Sequence, residues 1–233
     1  METRTAVLPG DTEVLHSRGH EVTTDTLLLG LWASPAPAGR VCELGSGSAV
    51  ASVVAAKGRP KSSWLCIDMD VGQLRLARAN FLGVPNSGFH AVCCDVAGVP
   101  SAFPEGIADL VLMNPPYLEA DRGRRSPKAG RDRSRRGDGL TMAMFVRAAS
   151  HLLSSGGELQ AVIRPDSLPR LLRALGAYGL SAGRLQPVGR QSSPASLLLV
   201  GAASSVGSLA LLPQVDAPVL QQMLLDGDGS RVP

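Results

Sequence analysis

The segment Arg40-Val41-Cys42-Glu43-Leu44-Gly45-Ser46-Gly47-Ser48-Ala49 decides the fold, because it predicts a buried strand, a glycine turn and the start of a helix. Residues 40–44 have the length and the apolar content of a buried strand, and 48–57 have those of a helix. Gly45 and Gly47 allow a tight turn and let a ligand approach the backbone closely. This order of elements is typical of α/β domains that bind a ligand beyond the first strand.

Strand and helix patterns alternate from residue 40 onward, which predicts a doubly wound, Rossmann-like α/β fold with a seven-stranded sheet. The predicted strands are 40–44, 63–68, 89–94, 108–113, 158–163, 183–188 and 196–201, and the predicted helices are 48–57, 71–82, 141–154 and 167–178. The short turn 191–194 predicts an antiparallel hairpin at one edge of a mostly parallel sheet. A short helix is also predicted over 23–33, with Thr24 or Asp25 as its N-cap.

Composition indicates a globular protein without a membrane span. Of 233 residues, 44% are hydrophobic and the mean hydropathy is +0.11. No apolar run approaches the roughly 18 residues of a transmembrane helix, and no signal peptide is recognisable, so we expect a cytoplasmic protein. The four cysteines lack metal-site spacing, which predicts no metal and reduced core residues: Cys42, Cys66, Cys93 and Cys94. The predicted organisation is an N-terminal extension, a catalytic domain and a C-terminal edge segment with a tail: 1–39, 40–201 and 202–233.

Acidic residues end three successive predicted strands, namely Glu43, Asp68 and Asp95. In a parallel sheet the carboxyl ends of the strands meet at one edge, so we expect these acids to surround the glycine turn. A carboxylate about 20 residues beyond such a turn can accept hydrogen bonds from both hydroxyls of a ribose. The sequence therefore predicts an adenosine-type pocket. The spacing G-x-G-x-A differs from the dinucleotide pattern G-x-G-x-x-G, so NAD is a poor fit.

A second turn, Asn114-Pro115-Pro116-Tyr117, follows the predicted strand 108–113. Two prolines cannot continue a strand, because each lacks a backbone N–H and has a fixed φ. The turn therefore lies at the edge where ligands bind. An amine on a planar group can donate to the carbonyl oxygens of Asn114 and Pro115 while Tyr117 stacks on the plane. We predict that the four residues of this turn form the catalytic site.

A concentrated positive charge lies between this turn and the next predicted helix. Residues 122–136 contain eight cations and one acid, while the rest of the chain holds 15 of the 23 basic and 19 of the 20 acidic residues. Long loops in compact domains are usually functional or disordered. We predict that this loop binds RNA phosphates through Arg122, Arg124, Arg125, Lys128, Arg131, Arg133, Arg135 and Arg136.

The glycine turn, the acidic strand ends and the N-P-P-Y turn together resemble class I S-adenosylmethionine-dependent methyltransferases, from Arg40 to about Val200. The resemblance implies that Glu43 positions the methionine amino group through the turn. It further implies that Asp68 binds the ribose and Asp95 the adenine amine. The cofactor contacts that it implies are Asp25, Glu43, Gly45, Ser46, Gly47, Asp68, Met69, Asp95, Val96 and Asn114. Ala49 departs from the family, which usually has a third glycine here, and its methyl group can loosen cofactor binding.

The segment before the first strand resembles a narrower family. Thr24-Asp25, Leu28-Leu29-Gly30 and Trp32 match the T-D-x-x-L-L-G-x-W signature of bacterial tRNA adenine-N6-methyltransferases, which act on an anticodon-loop adenine of a valine tRNA. Their basic loop and the alanine-rich helix that ends in two glycines, here Ala148 to Gly157, are similar too. The resemblance implies N6-methylation of adenine in RNA, most naturally tRNA.

Two other functions are compatible with the same motifs. Side-chain amides fit the N-P-P-Y geometry, so protein glutamine N5-methylation is an alternative, although about 39 residues before the first strand are too few for the helical substrate domain of those enzymes. A catalytically weak RNA-binding relative is the other, motivated by Ala49. The intact Asp68, Asp95 and Asn114 argue against it.

Overall fold

A computed structural model describes residues 2–8, 11–33, 39–58, 61–84, 87–116, 139–205 and 208–225. The strands are β1 (Thr3–Leu8), β2 (Thr12–Ser17), β3 (Arg40–Leu44), β4 (Ser63–Asp68), β5 (Gly88–Cys93), β6 (Ala108–Met113), β7 (Leu153–Ile163), β8 (Ser181–Val188), β9 (Leu197–Ala203) and β10 (Ala210–Leu211). The helices are α1 (Thr24–Ala33), α2 (Val50–Lys57), α3 (Val71–Phe81), α4 (Val99–Ala102), α5 (Gly139–Leu152), α6 (Leu168–Ala177) and α7 (Ala217–Leu225). Within these ranges no helix is long and apolar enough to cross a membrane.

The central sheet has eight strands in the order β10-β8-β9-β7-β6-β3-β4-β5. Strands β3 to β7 pair in parallel, whereas β9 is antiparallel to both β7 and β8. This confirms the mostly parallel α/β sheet with an antiparallel hairpin. The strand count is eight rather than seven because Ala210 and Leu211 pair with β8, so the hairpin is not the outermost element.

Apolar side chains from alternate strand positions fill two cores, one on each face of the sheet. Helices α1, α2, α3 and α7 cover one face, and α4, α5 and α6 cover the other. Leu44 and Met113 belong to the α5 side, whereas Val41 and Leu112 face α1 and α2. The near-continuous apolar strands follow from this two-sided burial.

The four cysteines are free, but they are not all core residues as predicted. Cys42 and Cys66 are buried, and burial raises the pKa of both thiols. Cys93 is exposed and Cys94 is half-buried, because β5 is the edge strand of the sheet and only one side of it is paired.

An antiparallel hairpin of β1 and β2 precedes the first helix, which the sequence analysis did not predict. The side chain of Asn80 in α3 holds this hairpin. The Leu15 N–H donates to Asn80 Oδ1 at 2.7 Å, and Asn80 Nδ2 donates to the carbonyl oxygens of Leu15 and Ser48 at 2.9 and 2.8 Å. Ser48 belongs to the glycine turn, so one buried amide joins the hairpin to that turn.

Helix α1 agrees with the predicted helix except for its cap. Thr23, not Thr24 or Asp25, is the N-cap residue, because the backbone N–H of Thr26 donates to Thr23 Oγ1 at 3.4 Å. Gly30 lies against α2 so closely that a Cβ there would be 2.6 Å from the carbonyl oxygen of Ala51. The glycine of the signature is therefore required by helix packing.

Two predicted helix boundaries differ from the structure for backbone reasons. Helix α2 begins at Val50 rather than at residue 48, because Ala49 has a left-handed φ of 60°. Helix α5 ends at Leu152 and β7 follows at once, with a register shift against β6. Gly156, with φ of 80°, therefore lies in the irregular part of β7 rather than at the end of the helix, where the sequence placed it.

Candidate active site

Strand register brings the predicted site residues to one edge of the sheet. Leu44 pairs with Ile67 of β4 and with Met113 of β6, while Asp68 pairs with Cys93. The residues that follow these strands therefore emerge side by side. They are the glycine turn after β3, Met69 after β4, Asp95 after β5 and Asn114 after β6.

The glycine turn is held by backbone hydrogen bonds and requires left-handed backbone at three positions. Gly45, Gly47 and Ala49 have φ values of 65°, 53° and 60°. A Cβ on Gly45 would lie 3.1 Å from the ring of Phe145, whereas a Cβ on Gly47 would meet nothing within 4 Å. Gly45 is thus fixed by packing against α5. Gly47 faces open space, as a cradle for a ligand requires.

Asp68 connects the end of β4 to this turn. Its Oδ2 accepts from the Gly47 N–H at 2.8 Å and its Oδ1 from the Asp70 N–H at 2.8 Å. The carboxyl group is half-buried. Each carboxylate oxygen has two lone pairs, so both retain capacity for a further donor. The geometry is compatible with the predicted ribose contact.

The edge beyond β4 and β5 combines a carboxylate with apolar side chains. Asp95 is exposed and caps a short 3₁₀ turn, its Oδ1 accepting from the Ala97 N–H at 2.9 Å. Met69 is 53% exposed and Val96 is half-buried. An acceptor flanked by apolar groups suits a planar base that carries an amine.

Glu43 lies under the glycine turn rather than along the open edge. It is 3% exposed, and one carboxylate oxygen accepts from both the backbone N–H and the hydroxyl of Ser52 in α2. Burial raises the pKa of Glu43 to about 7, while the Ser52 hydrogen bonds act in the opposite direction. Its predicted contact with a methionine amino group stays a prediction.

Asn114, Pro115 and Pro116 follow β6 at the same edge of the sheet as the glycine turn. Asn114 and Pro116 are half-buried and Pro115 is buried. Asn114 Nδ2 donates to Thr26 Oγ1 of α1 at 3.2 Å. The NH₂ end of the amide is therefore engaged by α1, and the carbonyl end can accept from an amine.

Several predicted residues fall outside the part of the chain that the structure describes. These are Tyr117 and the whole basic segment 122–136. Asp25 is the second residue of α1, on the same turn as Thr26, and Ser46 is buried within the glycine turn. Among the described residues, no group of three His, Cys, Asp or Glu is placed to hold a metal ion.

Three residues near the site were missed by the sequence analysis: Thr26, Ser52 and Asn80. Asn80 and Thr26 act across large sequence separations, on Leu15 and Asn114, whereas Ser52 lies nine residues after its partner Glu43. Hydroxyl and amide side chains on helices are common, so their types carried no distinguishing signal. Only the assembled fold shows their partners.

Comparison with known proteins agrees with this geometry. The model of the methyltransferase small domain matches residues 14–175. A protein of Photobacterium profundum named tRNA1(Val) (adenine(37)-N6)-methyltransferase is 29% identical over 203 residues, which cover 85% of this chain and 83% of the relative. A protein of the same name from Shewanella amazonensis is 30% identical over 163 residues, covering 70% and 68%.

Solved structures show the same architecture. TrmN from Thermus thermophilus superposes with a TM-score of 0.55 at 26% identity, covering 76% of this chain and 47% of that one. A predicted O-methyltransferase from Agrobacterium tumefaciens, Atu636, gives a TM-score of 0.59 at 22% identity, covering 82% and 85%. The second likeness concerns the fold alone.

Proposed function

Because the chain belongs to the methyltransferase small domain family, we propose that it transfers a methyl group from S-adenosylmethionine to the exocyclic N6 of an adenine in tRNA. The observation that carries this proposal is Asn114, whose amide lies at the sheet edge beside the glycine turn with its NH₂ end already engaged. The relatives named as tRNA adenine-N6-methyltransferases support the choice of acceptor.

The described residues fit S-adenosylmethionine, which supplies an electrophilic methyl group on a sulfonium when it is bound. Gly47 provides the open approach to the backbone, and Asp68 offers carboxylate oxygens for ribose hydroxyls. Asp95 would accept from the adenine amine, and Met69 and Val96 would offer apolar surface to the adenine. Glu43 accepts hydrogen bonds from Ser52 near the start of α2, the helix that follows the turn.

The acceptor nitrogen of adenine is a weak nucleophile, because its lone pair is delocalised into the ring. Its two N–H groups would donate hydrogen bonds to Asn114 Oδ1 and to the Pro115 carbonyl oxygen. These hydrogen bonds would draw the nitrogen toward tetrahedral geometry. Positioning of this kind can contribute about 7–11 kcal/mol. One of the two protons leaves the nitrogen after the methyl group has been transferred, so no strong general base is needed. Tyr117 would stack on the flipped base, an interaction of about 1–3 kcal/mol.

The RNA-binding part of the proposal rests on charge. Eight cations in residues 122–136, directly after the N-P-P-Y turn, can neutralise phosphates around a base placed at Asn114. Anticodon loops present unpaired bases, which can be turned out of the loop without breaking a base pair, and this favours tRNA over a duplex. A tRNA substrate would place the reaction in the cytoplasm.

Methylation of unmodified tRNA with labelled S-adenosylmethionine tests the proposal. The parent is expected to form N6-methyladenosine, detected by mass spectrometry of the digested RNA. Asn114→Ala should lose most transfer while keeping its affinity for S-adenosylhomocysteine. Equal turnover by parent and variant would refute the role of Asn114. Labelling of a glutamine-containing peptide without labelling of RNA would favour the protein-methylating alternative.

Salt dependence of tRNA binding tests the basic segment separately. The affinity should fall linearly with log salt, with a slope of about 0.7–0.9 for each phosphate contact. Reversing Arg133 and Arg135 to Glu should weaken binding and flatten that slope. The matched control reverses Arg75 and Arg78, two exposed cations of α3, with the same change in net charge. Equal effects of the two reversals would contradict a localised phosphate contact.

A further inference from the structure

We propose that Thr26 is a positioning residue that fixes the orientation of the Asn114 amide, an inference that rests on the proposed function for its catalytic consequence. A primary amide has two ends of similar shape and opposite hydrogen-bonding character. Only the carbonyl end can accept from an adenine amine. Rotation by half a turn would present the NH₂ group to the amine, donor against donor, so the reaction needs one orientation.

The structure has the Asn114 amide in that orientation at Thr26. Asn114 Nδ2 donates to Thr26 Oγ1 at 3.2 Å, and Thr26 Oγ1 lies 3.1 Å from Thr23 Oγ1. A hydroxyl that accepts from the amide still has its own proton to donate, and Thr23 Oγ1 is within reach as the acceptor. The backbone N–H of Thr26 also donates to Thr23 Oγ1, at 3.4 Å. The NH₂ end thus begins a short chain of hydrogen bonds that ends at the helix cap.

Helix α1, which carries Thr26, packs closely against α2. Gly30 packs so closely on α2 that a Cβ would lie 2.6 Å from the Ala51 carbonyl oxygen, and Leu28 and Leu29 are fully buried. Helix α2 itself begins directly after the glycine turn. Thr26 therefore connects the amide of Asn114 to α1, which packs on the helix that follows the glycine turn. The packed helices α1 and α2 would thus hold the methyl donor and the acceptor-binding amide in fixed positions relative to each other.

The test replaces Thr26 by valine, which keeps the shape of the side chain and removes the hydroxyl. Thr26→Ser keeps the hydroxyl and is expected to behave like the parent. Thr24→Val is the matched control, since Thr24 is an exposed residue of the same helix turn. We expect kcat of Thr26→Val to fall about three- to tenfold, as the loss of one neutral hydrogen bond predicts. KM for tRNA and the affinity for S-adenosylhomocysteine should stay unchanged.

Side-chain amide NMR gives a readout that does not depend on turnover. The Asn114 NH₂ resonances, assigned by their loss in Asn114→Ala, should shift and exchange faster with solvent in Thr26→Val, but not in Thr24→Val or Thr26→Ser. Unchanged resonances in Thr26→Val would overturn the inference. A fall in cofactor affinity at unchanged kcat would overturn it as well. A parent that methylates no RNA would instead refute the proposed function, and the amide spectrum would still decide the role of Thr26.

Discussion

Replacing the buried Glu43 by glutamine is expected to stabilise the protein relative to the parent by an amount that grows with pH. Glu43 is 3% exposed, and burial raises its pKa to about 7 from the ordinary value of 4.5. The hydrogen bonds from Ser52 lower the pKa and the nearby charge of Asp68 raises it, but burial has the largest effect. Ionising this group in the folded protein therefore costs free energy.

The pH window follows from those two pKa values. In the unfolded chain the carboxyl group ionises near pH 4.5, whereas the folded chain keeps the proton up to about pH 7. Between these values the folded state binds more protons than the unfolded state, so the stability of the parent falls as pH rises. The difference corresponds to about 3 kcal/mol, which is absent below the lower pKa and complete above the higher one.

Urea denaturation at several values between about pH 5 and pH 8 measures this effect. Glutamine at position 43 does not titrate, so the difference in unfolding free energy between variant and parent should rise by about 3 kcal/mol across the window. Glu13→Gln, at an exposed position of β2, is the control for the substitution itself, and its pH profile is the baseline for comparison. A flat difference for Glu43→Gln, or one that falls with pH, would refute the assignment of a raised pKa.

Three further outcomes are expected. Asp68→Ala should weaken binding of S-adenosylhomocysteine about 10- to 100-fold by calorimetry, because hydrogen bonds to a charged group are lost; unchanged affinity would remove Asp68 from the site. Gly30→Ala should lower the unfolding free energy by about 1–3 kcal/mol through overpacking, whereas Gly176→Ala, where a Cβ meets nothing within 4 Å, should not lower it. Hydrogen bonds from Arg40 lower the pKa of Asp109 to about 2, below its ordinary 3.8. Asp109→Asn should therefore lower the unfolding free energy by about 1 kcal/mol above pH 3.8, a value reduced to allow for the partial exposure of Asp109. This loss of unfolding free energy should shrink to nothing as the pH falls from 3.8 toward 2. A pH-independent loss would contradict the lowered pKa of Asp109.

The sequence predicted the centre of the sheet well, because its strands are buried on both faces. The bounds of β3, β4 and β6 agree with the predicted 40–44, 63–68 and 108–113. Apolar runs that end in glycine, acid or proline have few alternative assignments. The same feature made the edge residues of the candidate site predictable, since strand ends in a parallel sheet share one edge.

Elements at the periphery were predicted poorly. Strand β10 has only two residues, and helix α7 was missed although Asp216 and Pro218 at its start are typical helix-start residues. The β1–β2 hairpin was missed although Pro9-Gly10-Asp11 is a turn signal between its two strands, and Asn80, 65 residues away from Leu15, stabilises it from outside. Edge elements of this kind depend on tertiary contacts more than on local propensity.

The N-terminal segment, predicted as an extension, is joined to both halves of the candidate site. Asn80 links the hairpin to Ser48 of the glycine turn, and Thr26 contacts Asn114, the residue after β6. Helix α1, between these contacts, packs its signature residues inward. Leu28 and Leu29 are buried, and the guanidinium carbon of Arg184 lies over the Trp32 ring, 4.2 Å from the ring centroid.

The T-D-x-x-L-L-G-x-W pattern therefore has a packing explanation for its apolar part. Gly30 sets the distance between α1 and α2, and the buried leucines set the rotation of α1 about its axis. Both determine where the first turn of α1 meets the residue after β6. Transfer between two bound groups is sensitive to small misplacements. Under the proposed function, α1 would influence the rate without contacting the reacting atoms, by fixing the position of the Asn114 amide.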